Sequence, residues 1–363
     1  MVLGASTVFN PKIGEFTLPP VFALNRAVQA CRLRAFMKLA AAALVWLTGL
    51  LTVSAQSALG KLERMPLFGV DYIRLTDWAA ASHFQILRTG KIEDVRLTAP
   101  GSKLVLTVDS YKAEINDVTV YLSAPVVLRH GEVFISRLDL ETTVHPLLFP
   151  PRNTVSVSVL SVCVDPGHGG KDPGNQEGRR MEKQFTLLLA RDLRDLLTGA
   201  GLKVTLTRNG DNFVPLTDRP EIARQRDADL FVSLHFNAVL TDKDLVKGME
   251  AYCLTPAGAG STNARGESGD TSACAGNRFD AKNMLLAYQI QKALVRNLSM
   301  EDRGVKRARF AVLRNARLPA VLIEAGFMSH PAESARIFDP QYRRRMARAI
   351  ADGILAYKRL VER

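Results

Sequence analysis

Residues 160–174 read LSVCVDPGHGGKDPG. The run LSVCVD (160–165) is short and apolar, and Pro166 and Gly167 end it, which predicts a buried strand. The glycines that follow permit a tight turn and close backbone approach. His168 is therefore presented where the strand stops. Outward from this point, Glu182 to Ala200 carries apolar residues at 185, 188, 189, 193, 196 and 197. That spacing predicts a helix, and Gly201 reads as its stop. LKVTLT (202–207), LFVSL (230–234), MEAYC (249–253) and AVLIE (320–324) read as strands. Thr217 to Arg226, 281–298 and the Arg-rich 340–360 read as helices. Strand–helix alternation over 158–361 predicts an α/β fold, a mostly parallel twisted sheet with helices on both faces.

The N-terminal half has a different period. KLVLTVDS (103–110), VTVYLS (118–123) and EVFISRLDL (132–140) alternate at period two, separated by the turn signals Pro100-Gly101, Asn116-Asp117 and His130-Gly131. Residues 66–145 are thus expected to form a small β-rich domain, joined through a proline-bearing linker at 146–157. His83, His130 and His145 stand isolated there and read as structural or exposed. Residues 39–53, LAAAALVWLTGLLTV, follow Met37-Lys38 and precede Val53-Ser54-Ala55. A charged start, an apolar stretch and small residues read as a secretory signal within a precursor segment 1–55, with Met37 a candidate true start. The chain is expected to be exported, to the periplasm or cell envelope. Cysteines can pair there, so Cys253 and Cys274 are expected to bridge a Gly/Ser/Asn-rich loop, worth about 3 kcal/mol by chain entropy. Cys163 lies in a strand and reads as a buried thiol.

The 363 residues carry 47% hydrophobic residues and a net charge of +12. Such a surface suits anionic polymers, whether nucleic acid, a membrane face or an acidic wall glycan. Part of the charge reads as solvated helix face, as with Arg343, Arg344, Arg345, Arg348 and Lys358. Export and the lack of aromatic–basic interleaving argue against nucleic acid.

Four residues then share one place in the topology. His168 follows the first strand of the α/β region, His235 follows LFVSL, Glu324 ends AVLIE, and Glu182 opens the helix after the first strand. In an open α/β sheet these positions line one edge, where ligands bind. Two imidazoles and two carboxylates there make the inventory of a catalytic zinc site. A carboxylate at a helix start is usually a favourable dipole partner, and a lone histidine is usually structural. Convergence of four by separate routes favours the site.

DPGHGGKDPG (165–174), Glu182-Lys183, LFVSLHFNA (230–238) and PAVLIEAGFMSHPAE (319–333) resemble the zinc-dependent N-acetylmuramoyl-L-alanine amidases. The resemblance spans 158–361. It implies that His168, Glu182 and His235 hold Zn²⁺, that Glu324 is the catalytic carboxylate, and that peptidoglycan is the substrate. It also makes an envelope activator protein a candidate partner. Residues 115–140 resemble the N-terminal domain of copper amine oxidases, which implies recognition or spacing. His330 stands where the family commonly has Asn. In some members the segment after the strand corresponding to MEAYC (249–253) holds an autoinhibitory helix. The 254–273 loop here lacks helical periodicity and is instead expected to control access to the site. Asp165 and Asn237 flank the donors and are candidates for orienting them or for turn formation alone. Two other readings stay open: another zinc peptidase or deacetylase, against which the absence of HExxH counts, and a non-catalytic wall-binding protein with the same fold.

Overall fold

A computed structural model of the chain describes residues 60–88, 94–154, 157–262 and 271–362. The precursor segment and the centre of the 254–273 loop lie outside these residues. Among the described residues no helix is long and apolar enough to cross a membrane.

The N-terminal region contains β1 (Arg64–Leu67), β2 (Val70–Arg74), α1 (Leu75–Ala81), β3 (Gln85–Arg88), β4 (Asp94–Ala99), β5 (Ser102–Thr107), β6 (Lys112–Ile115), β7 (Val118–Tyr121), β8 (Val127–Arg129) and β9 (Glu132–Ser136). Helical turns over 137–148 follow. The second region contains β10 (Ser161–Pro166), a two-stranded ribbon of β11 (Gln176–Glu177) and β12 (Arg180–Met181), α2 (Glu182–Gly199), β13 (Lys203–Leu206), α3 (Asp218–Gln225), β14 (Leu230–Asn237), β15 (Met249–Leu254), α4 (Asp280–Leu298), β16 (Asp302–Ala308), α5 (Ala311–Arg314), β17 (Ala320–Phe327), α6 (Pro331–Phe338) and α7 (Pro340–Val361).

The main sheet has eleven strands in the order β13-β10-β14-β17-β15-β16-β7-β6-β5-β4-β3. From β13 to β17 all neighbours are parallel. β15 runs antiparallel to β17, and β16 runs parallel to β15. β7 then pairs with β16 at Val120 and Val305, so the two regions share one sheet. Side-chain ties reinforce the junction. Thr119 N donates to Asp302 Oδ2 at 2.8 Å, and Tyr288 OH donates to Ile115 O at 2.8 Å. The buried Arg307 guanidinium reaches Thr142 O (3.0 Å) and Thr143 Oγ1 (2.6 Å) in the helical turns. The break expected at 146–157 is thus a change of element type along the sequence, while the sheet continues across it.

Strand alternation divides the second region's core. Cys163, Phe231, Leu322, Tyr252 and Leu254 face α3 and α5 through Ala223, Val312 and Leu313. On the other side α7 packs against α4 and α2. Buried Val162, Val164, Val232, Leu234, Val321 and Ile323 have the opposite parity. Each fully buried side chain of this size contributes roughly 1.5–3 kcal/mol relative to exposure.

Two cysteine expectations meet this geometry differently. Cys163 is buried and unpaired, and burial raises its thiol pKa above the ordinary range. The Cys253–Cys274 bridge is not formed, since both thiols are free. Cys274 packs with the Tyr252 and Leu254 face of β15, whereas Cys253 alternates to the other face. There Cys253 Sγ lies 3.6 Å from Lys306 O, while Cys274 Sγ contacts Asn277 Oδ1 at 3.2 Å. The period of two in a strand turns the thiols apart.

Candidate active site

Glu324 of β17 pairs with His235 of β14 on one side and with Glu250 of β15 on the other. Directly opposed residues point to the same face of a sheet. The three therefore form a row across β14, β17 and β15, above the apolar cluster of that face. β10 ends beside β14, and its turn brings His168 over the row. Glu182, the first residue of α2, is 1% exposed and completes the group.

The donor atoms converge. His168 Nε2 lies 3.1 Å from Glu182 Oε2, and His235 Nδ1 lies 3.1 Å from both Glu182 Oε1 and His168 Nε2. All ligand atoms of His168, Glu182 and His235 fall within 4.8 Å of one another. Donors about 2.1 Å from a tetrahedral zinc would stand roughly 3.4 Å apart, and three protein ligands leave a fourth position open. The donor set and its spacing fit such an ion.

The chain fixes two of the donors. Glu182 accepts at Oε2 from Asn175 N and Nδ2, both at 2.9 Å, and at Oε1 from Phe236 N at 3.0 Å. Burial pushes the Glu182 carboxyl up, but hydrogen bonds and charge from His168 and His235 outweigh it and hold it below the usual range. Asp172 Oδ2 is 2.8 Å from His168 Nδ1, leaving Nε2 to face the donor cluster. Burial lowers the His168 pKa, and Glu182 and Asp172 more than reverse it. Replacing Asp172 by Ala is expected to weaken metal binding about 10–100-fold with little loss of fold. Competition against a fluorescent zinc chelator measures it, and unchanged affinity would remove Asp172 from the site.

Glycine is required where the ligands crowd the backbone. A Cβ at Gly174 would stand 2.7 Å from both Glu182 Oε2 and His168 Cδ2, and one at Gly167 would stand 2.3 Å from the His235 ring. His168 itself has φ +63°, a conformation costing about 1–2 kcal/mol for a side-chain-bearing residue. Two buried guanidiniums hold that turn. Arg208 donates to Pro166 O (3.0 Å) and Gly167 O (2.8 Å). Arg219 donates to Pro166 O (2.9 Å) and His168 O (3.0 Å).

Asp165 and Asn237, candidates for orienting the donors or for turn formation alone, have the following partners. The Asp165 carboxylate is fully buried against Arg219 Nη1 (2.8 Å), Ser233 Oγ (2.7 Å) and Thr207 Oγ1. None of these is one of the three clustered side chains, and Arg219, which also bonds His168 O, links Asp165 to the His168 turn. Asn237 Oδ1 accepts from Ala238 N at 2.9 Å, and its Nδ2 faces Glu250 Oε2 at 3.4 Å. It shapes the strand end. His330, the departure from the common pattern, accepts from Glu333 N at 3.3 Å and so caps α6 as an Asn would.

Glu324 differs from the other carboxylates. Its Oε2 is buried and finds no hydrogen-bond partner among the described residues. Burial, then the charges of Glu182 and Glu250, raise its pKa well above the ordinary value. Glu250, 2% exposed, is by contrast held by Arg303 Nε (2.6 Å), Lys306 Nζ (2.7 Å) and Tyr252 OH (2.7 Å). These outweigh burial and lower its pKa. The sequence reading did not single out Asp172, Asn175, Arg208, Arg219 or Glu250. Asp172 lies inside the DPGHGGKDPG motif and could have been noticed there. The arginines carry no local signal.

The centre of the 254–273 loop, on which the access expectation rests, lies outside the described residues. It leaves the C-terminal end of β15, whereas Glu250 lies near the N-terminal end. Four residues of strand separate Leu254 from Glu250, roughly 13 Å. The described parts of the loop are tied at that far end, through Thr262 to Arg307 and Ser272 to Arg309. β15 runs against β17, so the described ends of the loop leave the strand at the end opposite Glu250.

Residues 162–356 match a family model described as N-acetylmuramoyl-L-alanine amidase. The chain is 32% identical over 231 residues to N-acetylmuramoyl-L-alanine amidase AmiA of Escherichia coli strain K12, covering 57% of this chain and 79% of that protein. It is 35% identical over 220 residues to AmiC of Neisseria meningitidis, covering 54% and 52%. A solved structure of AmiC2 of Nostoc punctiforme shares 33% identity, covers 56% of this chain and 98% of that one, and has a TM-score of 0.46. The matched span contains the donor row, the Asp172 brace and Glu324, and the chain belongs to the N-acetylmuramoyl-L-alanine amidase family.

Proposed function

We propose that the chain cleaves the amide between N-acetylmuramic acid and the L-alanine of the peptidoglycan stem peptide. In this reading His168, Glu182 and His235 hold a zinc ion, and Glu324 moves the proton. The observation that carries it is three donors within 4.8 Å beside a buried carboxylate oxygen that has no partner among the described residues.

An amide is a weak electrophile with a poor leaving group. When bound, zinc supplies a Lewis acid for the carbonyl and lowers the pKa of water to about 7. Glu324 removes a proton from the attacking water and returns it to the departing nitrogen, so that an amine leaves. Its raised pKa suits both halves of that task. A cation among the donors offsets the Glu182 charge, while burial and Glu250 continue to act on Glu324. Glu250→Gln removes a negative neighbour, so the acid limb of kcat/KM is expected to move to lower pH. A pH–rate profile measures this, and a limb that moves up or stays would exclude Glu250 as a cause.

Digestion of purified peptidoglycan with and without a chelator tests the reaction. Mass spectrometry should find muramic acid with a free lactyl carboxyl and a new N-terminal alanine, both lost with the chelator. Cuts within the peptide, or released acetate, would overturn the assignment. Since this polymer lies outside the cytoplasm, we infer that residues 1–55 direct export. N-terminal sequencing of the mature protein checks it, and a start upstream of Val53 would rule cleavage out.

A further inference from the structure

The donor row does not end at Glu250. β16 continues it with Arg303, and Lys306 lies on the same face, since both reach Glu250 Oε1. β7 comes next, and Lys306 Nζ lies 5.6 Å from the Tyr121 ring centroid. The register then runs Tyr121↔Lys112 and Thr119↔Glu114 onto β6, Glu114↔Val105 onto β5, Val105↔Arg96 onto β4, and Arg96↔Leu87 onto β3. Opposed residues share a face, so these side chains extend the floor on which His235 and Glu324 stand.

This face of β3–β6 is open. Arg96, Lys112 and Leu87 are exposed, and Lys103, Val105, Thr107, Glu114 and Tyr121 are half-buried. The opposite parity, with Val95, Leu97, Leu104, Leu106, Ala113 and Ile115, is buried. The strands are therefore two-faced, with the core on one side and solvent on the side continuous with the catalytic row. At about 4.8 Å per strand, Lys112 lies roughly 19 Å from Glu324 across four steps. An extended peptide of five residues spans roughly 17 Å.

We propose that this face, from Lys306 and Tyr121 to Arg96, is a platform for the uncleaved part of the same polymer. It would hold the carboxylate-bearing peptide arms of peptidoglycan while one arm is cut at Glu324. The inference rests on the amidase reading. Three observations select this occupant. The platform is continuous with the donor row, the chain beyond residue 55 keeps a net charge of 12 − 4 = +8, and Arg96, Lys103 and Lys112 lie along its length, Lys103 beside Asp117 (2.7 Å) and Lys112 near Glu114 (3.9 Å). The N-terminal region then contributes surface to the site itself.

Glu324→Gln protein, which keeps the donors but loses the proton carrier, is mixed with intact peptidoglycan sacculi, and the sedimented fraction is measured. It is compared with the same protein carrying Arg96→Glu and Lys112→Glu, and with a control carrying Arg344→Glu and Arg348→Glu on α7. Both doubles change net charge equally and alter exposed side chains. Thermal melts confirm that both remain folded. The platform double is expected to lower sacculus affinity at least fivefold, and the α7 double to leave it near the parent value. Equal losses in both, which net charge alone would produce, overturn the platform, and so does no loss in either. Failure of the amidase reading looks different: zinc-loaded wild type would then sediment with sacculi yet release no new N-terminal alanine.

Discussion

Glu324→Ala is expected to retain one zinc per chain while turnover of peptidoglycan falls by about 10²–10⁴-fold, the usual contribution of a placed acid–base group. His168→Ala is expected to lose both zinc and turnover. The contrast follows from position. Glu324 faces His235 across the β14–β17 pairing but is outside the three-residue donor cluster. His168 Nε2 is one of the converging atoms, and its other nitrogen is braced by Asp172. Metal content by atomic emission, with amine release in the same samples, separates the two. Equal zinc loss in both variants would place Glu324 among the ligands, and full activity in Glu324→Ala would refute its role.

Arg219→Met is expected to cost about 3–5 kcal/mol of folding stability, the range for leaving one member of a buried ion pair alone. Arg219 is 1% exposed and Asp165 is fully buried. Their 2.8 Å contact is the principal charge compensation for the carboxylate. The same guanidinium holds Pro166 O and His168 O, so the left-handed turn at His168 loosens as the fold weakens. Urea denaturation gives the stability, and zinc affinity at low denaturant gives the turn. Arg219→Met combined with Asp165→Leu is expected to recover part of the stability, because neither member of the pair is left buried alone. A loss below about 1 kcal/mol in the single variant would show that water reaches the pair.

Much of this was legible in the chain. The helix read over Glu182–Ala200 is α2, Glu182–Gly199. The four chemical residues were readable because strand ends and a helix start share one edge in an α/β sheet. What was not legible depends on pairing between distant segments. β16, DRGVKRA, has no alternating or apolar pattern. It is a central strand because Asp302, Arg303, Lys306 and Arg307 find partners on neighbouring elements. The Cys253–Cys274 bridge looked right by spacing and fails on parity. The antiparallel run of β15 against β17 likewise carried no local signal. Arg208 and Arg219 are ordinary surface residues by composition, and the carbonyls of a turn 41–53 positions away, with the Asp165 carboxylate for Arg219, explain their burial.

The β7–β16 seam has a consequence for biogenesis. Val120 waits for Val305, 185 positions later in the sequence. An N-terminal region made first carries an unpaired strand edge until the last third of the chain arrives. Such an edge is a template for pairing with other chains, and long-range pairing is slow. Fragments ending near residue 150 are therefore expected to self-associate. The intact chain gains from assistance during export, in proportion to how long that edge stays uncovered.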